Sequence, residues 1–205
     1  MKSSTSKALW YTSLAAGAAV GPAAQGSVIY TDIADIKAPT IQFDLDNGGS
    51  VDFRLEVVAS GAQQKSNLVP ISSNIAAGIA LNLNNNADRM AAGESIGLST
   101  PFSNPTETKT LFDGASATPA VYDWAVGSRG FLGLRFDLDG TTHYGWADVS
   151  INALTASTFD HTLYGYAYES TPAMAILAGT VPEPTTAMLL VAGAAGAASV
   201  RRRQS

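Results

Sequence analysis

Apolar and polar residues alternate with a period of two at several places along this 205-residue chain. Ile41, Phe43 and Leu45 alternate with Gln42, Asp44 and Asp46, and Val51, Phe53, Leu55 and Val57 alternate with Asp52, Arg54 and Glu56. In an extended chain successive side chains point to opposite faces, so each series predicts a strand with one buried face. Between the two lies Asp46-Asn47-Gly48-Gly49. These residues tolerate positive φ and predict a hairpin turn. A second hairpin is predicted from Phe131–Leu138 through Asp139-Gly140 to Tyr144–Ile151. Both hairpins contain Phe-Asp-Leu-Asp, a shared turn solution rather than an internal repeat. Ile79, Leu81 and Leu83 predict a further strand ending in Asn84-Asn85-Asn86, Leu163–Tyr168 another, and Met174–Leu177 a last short one. Ala87–Ala92 has the length of one helical turn, and residues 99–120, rich in Thr, Ser, Pro and Ala, read as a long loop. Short strands with Gly- and Asn-rich turns predict an all-β fold, a single antiparallel β-sandwich of jelly-roll-like or Ig-like type.

The two ends follow a different pattern. Lys2 and Lys7 precede a modest apolar stretch, Ala8–Val20, and Ala24-Gln25-Gly26 places small residues where a signal peptidase reads. A signal peptide over residues 1–26 is predicted, cut before Ser27. At the other end, Val181-Pro182-Glu183-Pro184 opens a short tail. Its prolines cannot continue a helix and hold the chain extended. The run of 16 small and apolar residues from Thr185 to Val200 follows, then Arg201-Arg202-Arg203. As a helix this run measures roughly 24 Å at about 1.5 Å per residue. A bilayer core is about 30 Å thick, so the span is short. The three arginines suit the cytoplasmic side and can snorkel to ease the mismatch. The competing reading is a buried C-terminal helix of the globular body. Gly193, Gly196, the absence of a polar face and the closing arginines speak against it. The expected organisation is a signal helix (1–26), a β domain (27–180) and a membrane tail (181–205).

Pro-Glu-Pro, an apolar segment and an Arg cluster together resemble the PEP-CTERM sorting tail. The resemblance implies two processing partners, signal peptidase and an exosortase that cuts near Pro-Glu-Pro. It implies a passing stay in the inner membrane, then the cell surface or extracellular matrix of a Gram-negative-type bacterium. Gly130–Phe136, His143-Tyr144-Gly145-Trp146, Tyr166–Glu169 and Ala178-Gly179 also resemble the body of one group of PEP-CTERM proteins, over about residues 125–205. Bodies of that group have no assigned function, so no catalytic residue is carried over.

Charge agrees with export. Residues 27–180 hold sixteen acidic and seven basic residues, a balance of −9, while the full chain is −5. An acidic body excludes nucleic acid as the expected partner, because phosphate binding needs clustered Lys and Arg. There is no cysteine. Disulfides, thiolate metal sites and a Cys nucleophile are excluded, and the domain must stand on its core. About 150 residues suffice for one.

The candidate chemistry is sparse. His143 and His161 are the two histidines, neither in a His-Glu-x-x-His pair, and there is no Gly-x-Ser-x-Gly elbow. No Ser–His–Asp triad is selected by spacing. A carboxylate pair in a cleft, about 5–10 Å apart, would mark a secreted glycoside hydrolase, but no pair stands out among twelve Asp and four Glu of the body. Asp44 with Asp46, and Asp137 with Asp139, put carboxylates beside tight turns and are weak calcium candidates. Neither loop continues to the Glu of an EF-hand, and solvated hairpin ends are the simpler reading.

The sharpest pattern is aromatic. Strict alternation would put Tyr164, Tyr166 and Tyr168 on one strand face, and Tyr144 and Trp146 on one face of the preceding strand. Such rings beside carboxylates form a platform for stacked sugars, or else they fill the core. Turn parity separates the two. A two- or four-residue turn after Leu138 sets Tyr144 and Trp146 opposite Arg135 and Gly133, away from Leu134 and Phe136, whereas three residues send them into the core. The sequence leaves the parity open. The expected function is a non-enzymatic surface or matrix protein, without cofactor, that touches exopolysaccharide. The alternatives are a carbohydrate-binding module acting through the Tyr/Trp face and the secreted hydrolase.

Overall fold

The computed structural model describes residues 26–71, 77–116, 118–155 and 157–182. Its strands are β1 (Val28–Ala38), β2 (Thr40–Phe43), β3 (Phe53–Ser60), β4 (Gln63–Pro70), β5 (Gly78–Ile79), β6 (Ser95–Ile96), β7 (Lys109–Asp113), β8 (Arg129–Leu138), β9 (Thr141–Ala153), β10 (Phe159–Glu169) and β11 (Ile176–Leu177). Every pairing between them is antiparallel. A five-stranded sheet has the order β1-β10-β9-β8-β5, a four-stranded sheet the order β2-β3-β4-β7, and β11 pairs with β6 in a separate ribbon. The fold is all-β. The described helical element is one 3₁₀ turn, Pro119–Val121.

The main core is built from the apolar halves of both larger sheets. Phe43, Phe53, Leu55, Leu68 and Leu111 come from the four-stranded sheet. Leu132, Leu134, Phe136, Val149, Ile151, Leu163, Tyr166 and Tyr168 come from the five-stranded one. Rings meet across the interface, with Phe43 and Tyr166 centroids 5.6 Å apart. Each such side chain contributes about 1.5–3 kcal/mol by leaving water.

The predicted β8–β9 hairpin has a two-residue turn. Leu138 pairs with Thr141, and Asp139 and Gly140 take φ of 53° and 79°. Positive φ at both positions matches the right-handed strand twist, which is why Asp-Gly serves here. The β2–β3 hairpin closes at Phe43–Phe53 through a longer loop than the four turn residues suggested.

Several expectations are corrected. Residues 87–92 form no helical turn; Ala87 and Met90 make isolated bridges to Leu81 and Phe131. Pairing stops short of Leu83, which is fully exposed in the turn beyond. The last strand is limited to Ile176–Leu177. The long loop 99–120 contains β7, where Leu111 is buried and drives docking on β4. Strands β1, β4 and β6 lacked a sequence signal. Among the described residues no helix is long and apolar enough to cross a membrane. The predicted signal and tail helices lie outside the described residues.

Candidate functional site

Three sites predicted from sequence have defined places: the aromatic residues, the two Asp loops and the start of the tail. The turn parity sends Tyr144 and Trp146 opposite Arg135 and Gly133, on the side of the five-stranded sheet away from the main core. That side does not leave them in water. Tyr144 is 4% exposed and Trp146 2% exposed, inside a second apolar cluster with Ala80, Met90, Ile96, Ile176 and Ala178. The β6–β11 ribbon covers them. Phe131 packs edge-on to Trp146 at 5.2 Å, and Tyr30 lies 5.8 Å from it.

The three tyrosines of β10 do not share a face. A register shift between Leu163 and Gly165 inserts Tyr164 as an extra residue. Such a bulge reverses the alternation beyond it. Leu163, Tyr166 and Tyr168 therefore turn into the main core, and Tyr164 turns out. Burial pushes the Tyr166 and Tyr168 phenols above their ordinary range, with nearby Asp44 and Asp46 respectively adding to it. The five residues thus make no common platform.

Around Tyr164 lies a polar strip instead. The Arg129 guanidinium sits 3.6 Å from the Tyr164 ring centre and makes two hydrogen bonds to Asp148, of 2.9 and 2.8 Å. Tyr164 Oη and Ser150 Oγ are 3.2 Å apart. Ser150 donates to Asn152, which donates to Asp160 and Thr162. Lys37 reaches Asp160 at 3.8 Å. The strip crosses β8, β9, β10 and β1 on the outer side of the sheet.

The two Asp loops meet in one corner. A groove of about 270 Å³ is lined by Asp46, Gly48, Ser50 and Asp52 from one side and Asp137, Leu138 and Asp139 from the other. Asp44, Asp46 and Asp52 bring carboxylate oxygens within 4.8 Å of one another. Among the described residues this is the set whose oxygens could reach one hard cation together. The same oxygens also build the loop. Asp44 accepts from Gly48 N–H at 3.2 Å and Gly49 N–H at 2.6 Å, and Asp52 accepts from Leu45 N–H at 2.8 Å. Burial, and then a hydrogen bond with Asp44, raises the Asp46 pKa. Asp137 accepts from Gly140 N–H at 3.0 Å, an ordinary turn contact. Asp52 was not picked out in the sequence. Its place between Val51 and Phe53 reads as an outward residue of a strand, but the strand begins one residue later and Asp52 turns in, 4% exposed.

The histidines are both enclosed. His143 Nδ1 is 2.8 Å from the Glu169 carbonyl and Nε2 is 3.0 Å from Thr141 Oγ1. His161 Nε2 is 2.7 Å from Ser66 Oγ, and both residues have zero exposure. This serine–histidine pair bridges β10 and β4 inside the protein, out of reach of a substrate. Burial lowers the His161 pKa to about 4. Its Nδ1 makes no hydrogen bond of regular geometry, although the Pro39 carbonyl and Asp160 partly favour the charged form. Another pair of carboxylates, Asp88 and Asp123, lines an open groove with Arg89, Asn82 and Asn84. Burial first, then the Asp123 charge and a hydrogen bond with it, raise the Asp88 pKa.

The tail begins on the body. Ala178 is buried and exchanges hydrogen bonds with the chain at Gly93 and Glu94, of 2.9 and 2.8 Å. Gly179 has φ of 77° and lies so close to Phe131 that a Cβ would meet the ring at 2.7 Å. Val181 and Pro182 are exposed. Residues 180–203 match the PEP-CTERM protein-sorting motif. The chain carries a PEP-CTERM tail. It is an exported protein processed by an exosortase at a membrane-associated step on the way to the cell surface. Of the sorting residues, Glu183, Pro184 and Arg201–Arg203 lie outside the described residues, as does Ala24 of the predicted signal cut. Gly26 and Ser27 stand at the head of β1, where the Ser27 carbonyl accepts from Ser170 N–H at 3.0 Å. No curated protein matches the PEP-CTERM chain, and no solved structure does.

Proposed function

We propose that this chain is a non-enzymatic component of the bacterial surface or extracellular matrix, delivered by its exosortase-cut tail and in contact with exopolysaccharide. Its body is a β-sandwich, released after a signal peptidase has cut near Ser27 and an exosortase near Pro-Glu-Pro. The sorting motif at residues 180–203 is the observation that carries this reading. An acidic body suits the extracellular side, because like charge repels it from nucleic acid. The test is fractionation of the native host with and without exosortase activity. The reading expects the chain in the polysaccharide-rich extracellular fraction of the intact host, and retention in the inner membrane when exosortase is missing. The same distribution in both strains contradicts it.

A second reading, a carbohydrate-binding module, is supported by the polar strip rather than by the buried rings. The exposed Arg129 and the half-buried Asp148 and Asn152 lie in one row beside the half-buried Tyr164 ring, a composition that suits sugar hydroxyls. Glycan binding lost in both Tyr164→Ala and Arg129→Ala would favour it. Full binding in both variants would remove it.

A further inference from the structure

We propose that the outer side of the β6–β11 ribbon is a membrane-docking surface, which rests against lipid headgroups while the tail is still inserted. The proposal rests on the reading of residues 185–200 as a membrane span, and adds to it a defined orientation of the body.

Four exposed apolar side chains lie on or beside this ribbon. Leu177 in β11 is 49% exposed and Leu98, two residues past β6, is 89% exposed. Met174 precedes β11 and Val181 follows it, 37% and 48% exposed. The segments are neighbours in space. Leu177 pairs with Ser95, a Cβ on Gly97 would touch Ala175, and Thr180 N–H donates to the Leu177 carbonyl at 3.1 Å. Their partners in sequence point inward: Ile96, Ile176 and Ala178 are buried over Trp146 and Tyr144. The ribbon thus has a buried apolar side, and its outward side carries Leu177 beside Ser95, with Leu98, Met174 and Val181 exposed at its edges. Grouped exposed apolar residues of this kind mark an interaction surface.

The length of the tail names the occupant. Gly179 is fixed against Phe131, and the apolar run starts at Thr185. Residues 180–184 can span at most about 17 Å, at roughly 3.5 Å per residue fully extended. The headgroup layer takes about 6 Å of that, being half the difference between the whole bilayer and its hydrocarbon core. The body is thus held about 11 Å or less from the headgroups, and Pro182 and Pro184 stiffen the connection. The surface around the tail exit is the one brought to the lipid, and it is the outward side of the ribbon.

The chain has no cysteine, so single reporters can be placed without background. The full chain, carrying Leu98→Cys, Leu177→Cys, Leu154→Cys, Ala62→Cys or Ala192→Cys, is labelled with an environment-sensitive dye. Each is reconstituted into phosphatidylethanolamine–phosphatidylglycerol vesicles that contain headgroup-level quenching lipid. Leu154 and Ala62 are exposed in the β9–β10 and β3–β4 turns, away from the ribbon. The expected result is loss of emission at positions 98, 177 and 192, and unchanged emission at 154 and 62. Quenching at 192 with none at 98 and 177 overturns the docking surface and leaves the inserted tail standing. Equal quenching at 98, 177, 154 and 62 also overturns it, since the body would then have no preferred side. Absence of quenching at 192 overturns both the docking surface and the membrane reading of the tail.

Discussion

Strand β9 carries two different surfaces on its outer side. Toward its start, Tyr144 and Trp146 are buried under the β6–β11 ribbon. Toward its end, Asp148, Ser150 and Asn152 belong to a hydrogen-bonded polar strip with no ribbon above it. The two halves share a sheet, a face and an alternation. They differ in what distant segments bring to them. Ribbon residues 95–98 and 174–178 come from before and after the strand, and they end in the tail exit at Gly179. The apolar half is therefore a structural joint between the body and its sorting tail. The polar half meets solvent at Arg129 and, in part, at Asp148 and Tyr164.

That contrast can be broken by substitution. The largest effect is expected from Trp146→Ala, which empties an aromatic site packed by Phe131 and Tyr30. The expected loss of stability is about 3–5 kcal/mol in denaturant titration. Tyr164→Ala in the polar half should cost far less. Equal losses at the two positions would show that the ribbon does not cover its half as described.

Acid separates the enclosed His161 from the polar strip. Its folded pKa is about 4 against 6.5 for the free side chain, so the unfolded chain takes up the proton first. Stability from this group is complete above about pH 6.5 and falls as pH drops toward 4, by about 3 kcal/mol in all. Asp46 and Asp88, whose pKa values are raised, act in the opposite sense as they protonate. The measurement is therefore the difference between the native profile and that of His161→Gln. This variant can still hydrogen-bond to Ser66 and has no proton to gain. A difference that stays constant between pH 7 and 4 would contradict the enclosure of His161.

Gly179→Ala probes the joint itself. It places a methyl group against the Phe131 ring at a positive φ. The expected cost is about 1–2 kcal/mol, with faster proteolysis near Val181. The smallest effect belongs to Arg129→Ala. Its ion pair with Asp148 is solvent-exposed on the Arg side, and exposed pairs contribute under about 1 kcal/mol. A large loss of stability there would mean that the strip holds the fold together rather than facing solvent.

Much of the fold was legible because local chemistry and final structure agree. The Asp139-Gly140 turn is an example, since its φ values follow from the residues alone. Phe53 and Leu55 alternate inward as written. Other parts depend on partners that no local pattern reveals. In β4, Ser66 is buried because His161 of the other sheet answers it across the interior, and Asn67 is buried beside Thr110 of neighbouring β7, which donates to it. Edge strand β1 buries little, and its Asp32, Asp35 and Lys37 are exposed, so periodicity was weak. The bulge at Tyr164 changed the sides of two tyrosines, which simple alternation cannot foresee. The parity argument for Tyr144 and Trp146 was sound in geometry, but it equated the side away from the main core with water. The ribbon makes that step fail. The Asp44 and Asp137 loops were each visible, while their meeting in one groove follows from the sheet packing.

The central claim is that this chain is exported and relieved of its tail at Pro-Glu-Pro. Intact-mass measurement of the protein recovered from its native host tests it most directly. The account predicts one mature species that starts near Ser27, ends near Pro182–Pro184 and is found outside the cytoplasm. A full-length species running from Met1 to Ser205 in the cytosol would contradict it.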